Sequence, residues 1–158
     1  MNAANDAAAW QNFYIMLGTA NAAITGLLFV ALSLHLREIL AHPIFKARAV
    51  IVLIVLTTQI IVSAIVLSPQ PEKLMGVEIL LINVVFITLN LRYRVQTHVG
   101  TGLAMTLAIR ATYVWSSVSL IVGVGGGFYV LGAILVISLA RSVANCWTLL
   151  TALEKPVA

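Results

Sequence analysis

Charge is what this sequence lacks most. Of its 158 residues only 9% are charged while 61% are hydrophobic, and the mean hydropathy is +1.06. Soluble domains average roughly 25% charged residues, so this chain cannot clothe a water-soluble fold. Acidic residues are the scarcer sign, five against nine basic, for a formal charge of +4. The basic residues lie beside or between apolar runs and form no Lys/Arg cluster with interleaved aromatics, which argues against nucleic acid as a partner. Cys146 is alone, so no intrachain disulfide can form and redox compartment is not indicated. His35, His42 and His98 show no H-x-x-x-H or Cys/His spacing, and no Ser/His or paired-carboxylate arrangement is visible. The expectation is a protein that is not an enzyme and that takes no metal or cofactor.

Long apolar runs fill the space left by charge. They cover about 13–36, 49–67, 74–91, 103–122 and 128–150, each near the roughly 20 residues a helix needs to cross a bilayer. The short leading segment carries Asp6 and no basic residue, and the run after it is too long for a signal-peptide core, so the first run is expected to remain as a helix. Pro43 falls in the polar connector after run 1 and is expected to break helix there. Ser68-Pro-Gln-Pro-Glu-Lys73 reads as a turn, and Gly123-Val-Gly-Gly-Gly127 as a tight helix hairpin using backbone angles that glycine tolerates. The whole chain is expected to be one all-α transmembrane bundle of five spans, the alternative being four, with run 4 or run 5 interfacial or re-entrant.

The connectors after runs 1 and 3 hold Arg37, Lys46, Arg48, Arg92 and Arg94, whereas those after runs 2 and 4 hold only Lys73. By the positive-inside rule this alternation places the amino terminus outside and the carboxyl terminus in the cytoplasm, with Arg110, Arg141 and Lys155 toward the cytoplasmic side.

Polar residues inside such runs need partners, so their angular placement is informative. In run 1, Gly18, Ala22 and Gly26 recur every four residues as a small-residue seam for close helix approach, and Asn21 beside it is expected to bond across to another helix. Run 4 places Thr106, Arg110, Tyr113 and Ser117 on one face, and run 5 does the same with Ser138, Arg141, Asn145 and Thr148. The plainest reading of both arginines is snorkelling to phosphate head groups. The sharper one is that these stripes, with Asn83, Asn90 and Arg94 of run 3, line a cytoplasm-facing vestibule or an oligomer axis that favours anions or lipid phosphates. Glu78, as a carboxylate inside an apolar run, is a candidate functional residue, but near the outer boundary it is expected to reach water or pair with Lys73, and Gln59 and Ser63 are expected to exchange hydrogen bonds between helices.

Trp10-Gln-Asn-Phe-Tyr14 followed by Gly18-Thr-Ala-Asn-Ala-Ala-Ile-Thr-Gly-Leu-Leu-Phe-Val-Ala-Leu-Ser-Leu-His-Leu36, with Lys46-Ala-Arg48-Ala49 next, resembles a group of small bacterial integral membrane proteins, most without an assigned role and some labelled "modulator of FtsH protease". The likeness covers about a quarter of the chain, and its motifs describe packing. It implies a bacterial inner-membrane location and no transferable active site. The functional expectation is a membrane protein that self-associates or contacts another membrane protein through its helices as an assembly or regulatory partner. A homo-oligomeric channel or carrier for a small anionic or polar solute, with Arg110 and Arg141 as selectivity residues, is the competing expectation.

Overall fold

A computed structural model describes the backbone of residues 7–97 and 103–153, and the side chains of these except at 7, 8, 90, 93–97, 103 and 153. The described residues form α1 (Ala7–Leu34), a short α2 (Leu36–Ala41), α3 (Pro43–Leu67), α4 (Glu72–Thr97), α5 (Leu103–Val122) and α6 (Gly127–Leu153). At 1.5 Å per residue the 20 residues of α5 reach about 30 Å, the thickness of a hydrocarbon core, and the other long helices exceed it. Helix is the form expected, because in lipid each backbone N–H and C=O must be satisfied within its own segment.

Four helices are long and apolar enough to cross a membrane among the described residues: Ala9–Leu34, Pro43–Leu67, Ala104–Val122 and Gly127–Ala152. The fifth long helix, α4, is 26 residues but carries Glu72, Lys73 and Glu78 in its first two turns. Large apolar side chains such as Leu27, Phe29, Leu81 and Trp115 point outward all round the bundle, the surface expected of a protein whose solvent is lipid.

Helices α3, α4, α5 and α6 pack in a ring, each against the next, and α1 lies outside it against α3 and α6. The short connections after α3 and α5 make neighbours in the ring antiparallel. Close contacts fix the register. A Cβ on Gly76 of α4 would come within 2.8 Å of the Ser117 carbonyl oxygen and of the Ile121 side chain on α5. At the same end the Tyr14 hydroxyl of α1 donates to the Phe128 carbonyl of α6 at 3.1 Å. There Tyr14, Leu17, Val66, Met75, Leu120, Phe128 and Leu131 form a packed apolar core. A smaller core of Leu28, Leu32, Ile39, Val52, Leu56 and Leu149 joins α1, α2, α3 and α6 toward the opposite end.

Several boundaries differ from the sequence expectation. Pro43 does interrupt the helix as expected, the break falling at His42 in extended backbone, and it then opens α3, where at the first helical position its missing N–H leaves no bond unmade. The connector after α1 is thus almost wholly helical, α2 filling 36–41. α4 continues through Arg92 and Arg94 to Thr97, since basic side chains are good helix formers once the chain has left the apolar layer. The glycine hairpin holds Gly123, Gly125 and Gly126 at φ of 77°, 96° and 66°, which side chains with a Cβ rarely adopt. The N–H groups of Gly123 and Val124 cap the end of α5 by bonding the Ser119 carbonyl at 2.9 and 3.2 Å.

Candidate functional site

Between α3, α5 and α6 the bundle leaves a cavity of about 50 Å³, lined by Thr106, Ile109, Arg110 and Tyr113 from α5, by Ser138, Arg141, Ser142 and Asn145 from α6, and by Ile51, Val52, Val55 and Thr58 from α3. Its volume is several times the ~10–15 Å³ that a single water requires. Helical steps of three and four carry the polar residues of α5 and α6 to the faces that meet here. Thr106 and Arg141 are half-buried and Asn145 is exposed, so they mark the mouth, while Arg110 (7% exposed) and Tyr113 lie at the inner end.

Arg110 is held from behind by α4. Its Nη1 donates to Asn83 Oδ1 at 3.2 Å, Asn83 Nδ2 donates to the Arg110 carbonyl at 3.4 Å, and the guanidinium carbon lies 5.9 Å from the Tyr113 ring centroid. Arg141 Nη2 donates to Thr106 Oγ1 at 3.5 Å. A guanidinium carries five N–H donors, so both arginines keep donors for an occupant. The hydroxyls around them offer acceptors more than donors, because Thr58 and Ser142 already donate to the carbonyls of Ile54 and Ser138 at 2.7 and 2.9 Å.

Among the described residues no carboxylate balances these cations. Among the described residues the one ion pair is His35 Nδ1 with Glu38 at 2.9 Å, at the end of α1. Glu72 opens α4, and Glu78 accepts from Gln70 Nε2 at 2.8 Å in the turn before α4. Of the two expectations for Glu78, the pair with Lys73 is not formed. Gln70 sits in a bent turn that aims its amide at the carboxylate, whereas Lys73 is turned outward to solvent.

Outward of Tyr113 the polar stripe ends. Ser117, placed on the vestibule face by its spacing, does not line the cavity; it is fully buried and donates to the Tyr113 carbonyl at 2.9 Å. Ser116 donates to the Gly127 carbonyl at 2.8 Å, and Ser119 to the Val124 carbonyl. These hydroxyls are spent on backbone at the hairpin, and the apolar core around Leu120, Phe128 and Leu131 closes the bundle above them. The cavity therefore has one open end.

Other sequence-singled residues fall elsewhere. Asn83 is buried beside Arg110 without lining the cavity, and the side chains of Asn90 and Arg94 lie outside the described residues. Thr148 is exposed at the far end of α6 and donates to the Asn145 carbonyl. The small-residue seam is divided: a Cβ on Gly18 would be 3.1 Å from Ser63 Cβ, so this glycine admits α3, whereas Ala22 is exposed and Gly26 has nothing within 4 Å. Asn21 does not bond across to another helix. Its Nδ2 turns back to the Leu17 carbonyl at 2.8 Å and its Oδ1 has no partner, and the expected exchange by Gln59 and Ser63 is absent too, their side-chain polar atoms being buried without hydrogen bonds. Sequence reasoning missed Thr58 and Ser142 as lining residues. Ser142, four residues after Ser138, was within reach of the stripe argument; Thr58 lies between Thr57 and Gln59, and nothing in the spacing told which of the three faces the cavity.

The fold and this cavity define an α-helical bundle membrane protein with an arginine-lined vestibule near one end. No protein-family model matches the chain, and neither a curated protein nor a solved structure matches it.

Proposed function

We propose that this protein crosses a bacterial cytoplasmic membrane five times, with α4 as the fifth crossing and the amino terminus outside, and that it binds a small anion, or the anionic group of a small solute, in a vestibule open to the cytoplasm. The observation that carries this reading is the pair Arg110 and Arg141 at one cavity with no carboxylate among the described residues beside either. Placing a charged side chain within the bilayer costs at least ~2.5–3.5 kcal/mol, and removing a cation from water without a counter-charge is a standing penalty. An anion at the cavity offsets it, and the arginines' remaining N–H donors are the groups to hold one. The single opening favours a binding or carrier role over an open conduit.

The test is thermal unfolding of the detergent-purified protein in sodium chloride, nitrate or inorganic phosphate at constant ionic strength. A ligand at 100 times its dissociation constant stabilises by ~2.7 kcal/mol. One of these anions is expected to raise the unfolding midpoint in the native protein and not in Arg110→Gln or Arg141→Gln. An equal response of native and variant proteins sinks the proposal.

A second reading, action through helix contacts as an assembly or regulatory partner, is favoured by Ala22 and Gly26, exposed small residues on α1, the first on a groove beside α3 and the second with nothing within 4 Å of an added Cβ. The resemblance of the α1 segment to membrane proteins labelled as protease modulators points the same way. Oligomeric mass in a mild detergent tests it: a monomer in both native protein and Gly26→Leu removes self-association.

A further inference from the structure

A second recess lies at the same end of the bundle, in the crook where α1 ends, α2 turns aside and α3 begins. It measures about 250 Å³ and shares no residue with the arginine vestibule. Phe29, Leu32, Leu36, Ile39 and Leu40 give it an apolar wall, and the one charged group on it is Lys46. Ser33, the other polar residue there, donates its hydroxyl to the Val30 carbonyl at 2.7 Å and so faces its own helix. Ile39 is buried and anchors α2, while Leu36 and Leu40 remain 52% and 57% exposed, so the recess opens sideways from the bundle.

From these features we propose that the crook is a specific site for an anionic phospholipid, one acyl chain lying along the apolar wall and the headgroup phosphate on the Lys46 ammonium. Size fits the chain. A cavity of about 150 Å³ admits benzene, so this one has room for about ten carbons of a lipid tail in proportion. Charge fits the headgroup. Arg37, Lys46 and Arg48 flank the crook with Glu38 as the only acid, and Glu38 is already engaged by His35 at 2.9 Å. Position fits both, because the apolar span of α1 ends at Leu34 and that of α3 begins at Pro43, which sets the recess where acyl chains meet head groups. A free phosphate ion answers only the lysine and leaves the apolar wall bare. The proposal does not depend on what the vestibule binds.

The experiment is native mass spectrometry of the full chain in detergent, titrated with dioleoylphosphatidylglycerol or dioleoylphosphatidylcholine. One retained phosphatidylglycerol per chain is expected, at least fivefold favoured over phosphatidylcholine. Lys46→Gln, at an exposed position that does not threaten folding, is expected to abolish that preference, and Val50→Phe, which fills the recess, to lower retention of both lipids. Arg110→Gln is expected to leave retention unchanged. Equal retention of the two lipids by the native protein, an undiminished preference in Lys46→Gln, displacement of the lipid by inorganic phosphate alone, or loss of retention in Arg110→Gln each overturns the assignment.

Discussion

Replacing Asn83 with aspartate sets a carboxylate where an amide oxygen now accepts from Arg110 Nη1 at 3.2 Å, and its effect on the vestibule can be worked out beforehand. An anion on the cavity side of the same guanidinium lies about 6 Å from the new carboxylate. At an effective dielectric constant of ~20 two like charges at that separation repel by about 3 kcal/mol, which is roughly a hundredfold in affinity. The fold is expected to tolerate the change, because the attraction between the carboxylate and Arg110 is opposed by a desolvation penalty of similar size. Asn83→Leu separates charge from support. It removes both bonds to Arg110, the longer of which at 3.4 Å contributes little, and side-chain hydrogen bonds within membranes average ~0.6 and reach ~1.7 kcal/mol. A stability loss of about 1–2 kcal/mol is therefore expected, with affinity changed only a few-fold. Anion titration calorimetry on both variants, with steric unfolding in parallel, reads the two effects apart. If Asn83→Asp binds the anion as tightly as the native protein, Arg110 does not face the ligand and the vestibule argument is refuted.

Three further substitutions address the packing that holds the site. Gly76→Leu drives a side chain into the Ser117 carbonyl and Ile121, both within 2.8 Å of the glycine's missing Cβ, and is expected to cost more than the ~1–3 kcal/mol typical of overpacking; native-like stability by steric unfolding contradicts the α4–α5 register. Gln59→Leu exchanges a side chain that is 0% exposed, with neither amide atom hydrogen-bonded, for an apolar one of similar volume. It is expected to stabilise by ~1–3 kcal/mol, and a lowered unfolding midpoint shows that the amide has a partner. Gly125→Ala, at φ 96° and with Ser119 Oγ 3.1 Å from the added Cβ, strains the hairpin by ~1–3 kcal/mol; a proteolysis rate at the hairpin equal to the native one argues against that geometry.

What could be read in advance follows from which physical constraint acts on each residue. Helix content and the general positions of the long helices were legible because a chain with so few charges has one way to satisfy its backbone in lipid. The faces bearing Arg110 with Tyr113 and Ser138 with Arg141 were legible because helical spacing sets direction. Partner choice was not. Whether Glu78 meets Lys73 or Gln70 depends on how the Ser68–Pro71 turn bends, and whether Asn21 bonds across or back to Leu17 depends on the gap between α1 and α3, which apolar packing determines. The extent of the stripe was equally hidden. Ser117 continues the spacing of Arg110 and Tyr113, yet the glycine hairpin brings α5 and α6 so close that a Cβ on Gly127 would lie 2.8 Å from Leu120, and no space remains there for a lined cavity.

That narrowing explains why the vestibule has one end. Glycines at 76 and 127 let α4, α5 and α6 converge on the Tyr14–Phe128 end, where each serine hydroxyl of α5 finds a carbonyl on its own helix, on α6 or in the hairpin between them. At the opposite end no glycine stands among the described residues of α5 or α6 to permit such approach, and the bulk of Arg110, Tyr113 and Arg141 holds the helices apart. The same side chains thus create the opening and supply its charge. A passage through the hairpin half requires the Ser116, Ser117 and Ser119 hydroxyls to leave their carbonyls together and the Leu120–Phe128–Leu131 packing to part, several interactions lost for none gained in the absence of water. An occupant that enters from the arginine end therefore leaves by it, unless α5 and α6 separate at the hairpin, where the left-handed glycines are the residues able to absorb the backbone change.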